Sequence, residues 1–98
     1  MAHLLSTEEL TGHLATLDGW SGDGRSISRT VELPTFPAAI EVVARVAEVA
    51  EVMNHHPDID IRWRKLTFAC TTHDKGGVTD ADFELAHRIN EIVAVAAT

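Results

Sequence analysis

The chain of 98 residues carries 8 Lys and Arg against 15 Asp and Glu, a formal net charge of −7. That length reads as a single domain, 1–98, and small domains bury a reduced share of their surface, which favours pairing with another copy. The acidic balance offers no basic patch for direct nucleic-acid binding, no run approaches the roughly 20 apolar residues of a membrane span, and a 45% hydrophobic share argues against disorder. In chain order, residues 1–5 lack a basic segment and a long apolar run, so no secretory leader is expected. Ser6 and Glu9 have the spacing of a capping box, with Leu5 and Leu10 as its hydrophobic staple. Leu10, Leu14 and Leu17 continue one helical stripe, which Asp18-Gly19 is expected to stop. Ser21-Gly22-Asp23-Gly24 reads as a tight turn. Ile27, Arg29, Val31 and Leu33 alternate with Ser26, Ser28, Thr30 and Glu32, predicting a hairpin that ends at Pro34 with a short first strand near Trp20.

Pro37 after Thr35 opens a second helix that runs to Asn54. Glu41, Arg45 and Glu48 form its narrow polar stripe, and the rest of its circumference is mostly apolar. So wide an apolar arc needs cover on two sides, the sheet on one and a second subunit on the other, with Val42, Val46 and Val49 among the residues expected to meet a partner helix. Glu51 falls off the polar stripe, so it need not be a solvated charge. Beyond Pro57, Ile59, Ile61 and Trp63 share one parity while Leu66, Phe68 and Cys70 share the other. A strand cannot swap faces without a break, which places a tight turn or bulge at Arg64-Lys65. Trp63 and Phe68 are expected in the core, and Cys70, the one cysteine, as an inert core residue without a disulfide partner, which fits a reducing, cytoplasmic setting. Lys75-Gly76-Gly77 is a loop, and Thr79 caps a third helix with Asp80 and Asp82 in its first turn. Leu85, Ala86, Ile89, Ile92, Val93 and Ala96 mark that helix's inward face, and Asp82 shares it. The order is α-β-β-α-β-β-α, an α+β fold with three helices against one face of a four-stranded antiparallel sheet.

Three of the six histidines, His55, His56 and His73, sit at element boundaries, where catalytic groups concentrate. Imidazoles titrate near neutral pH, so two of them supply an acid and a base without a cofactor. Glu51 and Asp82 are carboxylates able to set an imidazole's tautomer. There is no glycine-rich phosphate loop, nucleophile elbow or metalloprotease motif. Other readings stay open: helix ends attract histidine as a cap, and the three imidazoles with Asp82 make a ligand set for a metal-dependent hydrolase, although adjacent histidines point apart. His3, His13 and His87 read as surface residues.

The pattern Glu51, His55-His56-Pro57, Trp63, Thr71-Thr72-His73-Asp74, Gly77 and Asp82 resembles the signature of the pterin-4a-carbinolamine dehydratases. The likeness extends over nearly the whole chain, including Thr7-Glu8-Glu9 and Gly19-Trp20. It implies dehydration of 4a-hydroxytetrahydrobiopterin to quinonoid dihydropterin, in tetrahydrobiopterin recycling, by a homodimer or homotetramer with a small-molecule pterin substrate and with no metal or organic cofactor. On that reading His55, His56 and His73 are the catalytic histidines, Glu51 and Asp82 orient them, and the backbone at Thr71-Thr72 meets the pterin's amide edge. Ile59 stands where some animal members carry an aromatic residue, a departure that removes a stacking group. A non-catalytic interaction module of the same fold is the remaining alternative.

Overall fold

The computed structural model describes residues 3–96. Its elements are α1 (Thr7–Ala15), β1 (Ser21–Gly22), β2 (Ile27–Glu32), α2 (Phe36–Met53), β3 (Asp58–Arg62), β4 (Lys65–Cys70), a single 3₁₀ turn (His73–Lys75) and α3 (Asp80–Ala96). The four strands form one antiparallel sheet in the order β1-β2-β4-β3. The last strand to form a hairpin therefore lies between β2 and β3, and α2 carries the chain across it.

Register decides which side chains meet the helices. Ile27, Arg29 and Val31 of β2 lie opposite Cys70, Phe68 and Leu66 of β4, and Ile59 and Ile61 of β3 lie opposite Phe68 and Leu66. Opposed residues share a face. This face holds the core: Ile27, Leu66, Phe68 and Cys70 are fully buried with Val42 and Val46 of α2 and Leu85, Ala86 and Ile89 of α3. Burial of each larger side chain among them contributes roughly 1.5–3 kcal/mol. The opposite face carries Ser28, Thr30, Glu32, Lys65, Thr67, Asp58 and Asp60, as the alternation requires.

The caps behave as their residue types dictate. Ser6 accepts from the Glu9 N–H at 3.1 Å while Glu9 accepts from the Ser6 N–H at 2.9 Å. Thr35 caps α2 through the Ala38 N–H, and Asn54 ends it in the left-handed region at φ 51°. Helix α1 stops at Ala15, earlier than Asp18-Gly19, because Thr16 turns the chain: its N–H and its hydroxyl both bond the His13 carbonyl. Leu17 is nevertheless buried.

Two further expectations are corrected. Val42 and Val46 are buried in the chain's own core and Val49 packs against it, so these valines are not the outward face of α2; Phe36, Ile40 and Val52 are. Trp63 is 68% exposed, not core. The reversal between β3 and β4 takes only two residues, Trp63 and Arg64, since Arg62 already pairs with Lys65. Trp63 occupies the left-handed position, φ 57°, which turns its ring outward under the Arg64 guanidinium at 4.6 Å. Arg64 in turn reaches Glu32 at 2.7 Å and the Leu33 carbonyl at 3.2 Å, tying this turn to the end of β2.

Candidate active site

The end of α2, the end of β4 and the start of α3 converge at Asp82. Asp82 sits in the first turn of α3 on the face that turns inward, and it is completely buried. A buried carboxylate needs partners for both oxygens. Oδ2 accepts from the Thr72 hydroxyl at 2.8 Å and from the Thr79 N–H at 2.8 Å, and Oδ1 meets Nε2 of His55 at 2.5 Å. His55 is held there because Asn54 takes the left-handed conformation, after which the His55 N–H bonds the Ala50 carbonyl. The His55 side chain keeps 14% of its surface exposed. It is thus anchored at one ring nitrogen and accessible from one side.

His56, the next residue, points elsewhere, as adjacent side chains of an extended segment must. Its Nε2 meets the Glu51 carboxylate at 2.6 Å. Glu51 itself is exposed, with 78% of its side chain open to solvent. The offset from the Glu41–Arg45 stripe does not carry it into the interior: it lies over the helix end, where no other element covers it. His73 stands on the exposed 3₁₀ turn, one residue beyond the Thr72 that grips Asp82, so its segment is tethered to the same carboxylate as His55. Among the described residues the His73 imidazole has no hydrogen bond or ion pair and is free to meet a ligand.

Thr71 and Thr72 differ from the expected open strand end. The Thr72 N–H bonds the Gly77 carbonyl, and its own carbonyl accepts from Lys75 and Gly76, so the Thr72 backbone, though not that of Thr71, is taken up by the turn. Thr71 turns its hydroxyl to the Arg25 carbonyl. Thr72 instead contributes its hydroxyl, buried against Asp82 and Thr79. Sequence reasoning missed that role, although Thr79-x-x-Asp82 has capping-box spacing and marks Asp82 as reaching back to the Thr79 backbone. Cys70 lies next to this cluster. Burial, with the nearby Asp82 and Asp58 charges, pushes its thiol up to about 12.

His55 and His56 thus belong to two separate carboxylate pairs. Among the described residues no group of three or more His, Cys, Asp or Glu side chains is placed to hold a metal ion. The cavities between α2 and α3, one of about 150 Å³ lined by Ala38, Val42, Ile92 and Ala96 among others, contain none of the three histidines. His56 and His73 are exposed, and His55 is partly buried with one side open.

A family profile described as Pterin 4 alpha carbinolamine dehydratase matches residues 3–92. The chain belongs to this family. A Roseiflexus sp. protein named "Putative pterin-4-alpha-carbinolamine dehydratase" is 53% identical over 93 residues, covering 95% of this chain and 100% of the relative. A Nocardia farcinica protein of the same name is 53% identical over 89 residues, 91% of this chain and 94% of its own. Among solved structures, one titled as a transcriptional coactivator/pterin dehydratase from Brucella melitensis superimposes with a TM-score of 0.88 at 30% identity, covering 91% of this chain and 97% of that one. These relatives are hydro-lyases by name, and the family match spans residues 3–92 of the chain.

Proposed function

We propose that the chain dehydrates a pterin 4a-carbinolamine, 4a-hydroxytetrahydrobiopterin, to quinonoid dihydropterin and water, as a step in tetrahydrobiopterin recycling in the cytoplasm. Besides family membership, the observation that carries this reading is the His55–Asp82 pair: an imidazole anchored at Nε2, accessible at its other edge, beside two more surface histidines. Loss of the 4a-hydroxyl as water requires a proton delivered to that oxygen while another leaves a ring nitrogen. His55 and His73, from different segments, serve as acid and base on the two sides of the pterin. His56, held by Glu51, positions the ring and shares in the proton transfer. The Thr71 backbone meets the pterin's amide edge, and Asp82 with Thr72 fixes His55. The fold works as a homo-oligomer, which the outward apolar residues Phe36, Ile40 and Val52 of α2 support.

A stopped-flow dehydration assay on chemically generated 4a-hydroxytetrahydropterin tests this. Positioned general acid–base groups contribute about 10²–10⁴-fold, and carbinolamines already dehydrate slowly in water. His55→Ala and His73→Ala each slow the reaction strongly without abolishing it, and the double variant falls to nearly the uncatalysed rate. His56→Ala weakens binding at least as much as turnover. Dialysis against EDTA leaves the rate intact. Loss of activity in EDTA with recovery on zinc transfers the histidines to a metal site, and wild-type rates in the double variant remove their catalytic role.

A further inference from the structure

Two threonine hydroxyls lie behind Asp82, both buried and both polar: Thr79 is wholly inaccessible and Thr72 is 7% exposed. Their Oγ1 atoms are 2.8 Å apart, and Thr72 Oγ1 is also 2.8 Å from Asp82 Oδ2. A hydroxyl has one proton to give. Thr72 gives its proton to the carboxylate, which only accepts, so in the threonine pair Thr79 is the donor and Thr72 the acceptor. The Thr79 N–H fills the second position on Oδ2. That leaves Oδ1 to His55, and since Oδ1 also only accepts, the proton of that bond sits on His55 Nε2.

We propose that Thr72 and Thr79 are positioning residues forming a directed hydrogen-bond chain, Thr79 to Thr72 to Asp82, that holds the carboxylate so that neutral His55 carries its proton on Nε2 and presents an unprotonated Nδ1 to the substrate. The proposal deepens the dehydratase reading and rests on it for the role of His55, but the tautomer it specifies is a property of the free protein. Three donors on one carboxylate leave it no freedom to rotate, and hydrogen bonds in series polarise one another in a site of low dielectric. Each hydroxyl is matched: Thr79 satisfies Thr72, and Thr72 satisfies Asp82. Neither threonine needs to touch the substrate, which their burial prevents.

The test has a spectroscopic arm and a kinetic arm. In the wild-type protein, long-range ¹H–¹⁵N correlation of the histidine rings is expected to show His55 as the Nε2–H tautomer, and an Nδ1–H tautomer overturns the chain outright. Thr72→Val removes the hydroxyl at nearly constant shape, and Thr72→Ser restores it. Outer partners that orient an imidazole at metal sites are worth about 10- to 100-fold. Thr72→Val is therefore expected to lower kcat by about 10-fold with KM little changed, and to populate the second tautomer of His55. Thr79→Val acts through Thr72 and produces a smaller change of the same kind. Thr72→Ser and Thr79→Ser recover both the tautomer and kcat. If the serine variants fail as the valine variants do, or if Thr72→Val keeps the wild-type tautomer and kcat, the hydroxyls are structural filling and the proposal falls. Should the valine variants not fold, the wild-type tautomer and the serine variants still decide. If His55→Ala retains the wild-type rate, the dehydratase assignment of His55 fails, and the tautomer measurement judges the chain by itself.

Discussion

Asp82 satisfies both its oxygens with three donors from three different segments, and nothing of it reaches solvent. Removing it leaves the Thr79 N–H and one proton of the Thr72–Thr79 hydroxyl pair buried without an acceptor, at about 1–3 kcal/mol for an unpaired buried polar group. Asp82→Ala is accordingly expected to lower the unfolding free energy from urea titration by that amount, together with the dehydration rate; a fully stable variant would contradict the burial. The neighbouring Cys70 bears on stability at the other end of the pH scale. Burial disfavours the thiolate and pushes the thiol up from an ordinary 9.0 to about 12 in the folded chain. The raised value means that the thiol's contribution is complete below pH 9 and is lost as pH climbs from 9 towards 12, where only the unfolded chain gives up the proton. Between pH 8 and pH 10 the wild type should lose on the order of 1 kcal/mol more stability than Cys70→Ala does, measured by urea titration. Equal losses would show that Cys70 meets water.

The same capping-box spacing is used twice to different ends. Ser6-x-x-Glu9 closes the first turn of α1 at the surface, where the Ser6 N–H and hydroxyl hold the Glu9 carboxyl below its usual range. Thr79-x-x-Asp82 closes the first turn of α3 inside the molecule, and there the acid serves a histidine as well as the helix. Ser6→Ala is expected to lower stability by about 1 kcal/mol without altering dehydration. The loop leading to Thr79 is set by contact rather than by hydrogen bonding alone. A Cβ on Gly77 would stand 2.5 Å from the Gly24 carbonyl oxygen, which also accepts the Val78 N–H at 2.9 Å, and 3.0 Å from Leu4 Cδ2. Gly77→Ala must push this loop away from the β1–β2 turn, at about 1–3 kcal/mol for an overpacked contact, and thermal melts should show it.

Across the whole molecule, the sheet faces and helix starts were readable from the sequence because alternation and caps are local signals. Ile27, Leu66 and Phe68 are buried where their parity placed them, and Thr35 and Asn54 bound α2 as expected. What stayed hidden depended on geometry between distant segments. Trp63 looks like core until the two-residue turn rotates it outward, and Glu51, off the polar stripe, proves to be solvated at an uncovered helix end. The Thr72 hydroxyl joins a residue ten positions away that no periodicity links to it. The valines expected at a partner helix were drawn into the chain's own core, which leaves Phe36, Ile40 and Val52 along α2, with Ile61 and Trp63 at the sheet edge, among the exposed large apolar groups, as Leu4 and Val95 are elsewhere. Exposed apolar groups that gather into a patch mark interaction sites. Light scattering at micromolar concentration is expected to give at least twice the 10.7 kDa of one chain; a clean monomer would leave α2 with no partner to explain it.

The Thr79 amide proton has a further consequence. It belongs to a residue between elements, where exchange with solvent deuterium is ordinarily fast, yet it is sealed from water and bonded to Asp82 Oδ2. It should therefore exchange on the slow timescale of the β4 core amides and act as a clock for the ordering of the histidine cluster. Amide exchange followed by NMR would find that signal retained in Ser6→Ala and lost in Asp82→Ala. Rapid exchange in the wild type would mean that this corner of the molecule opens by itself, long before the sheet does.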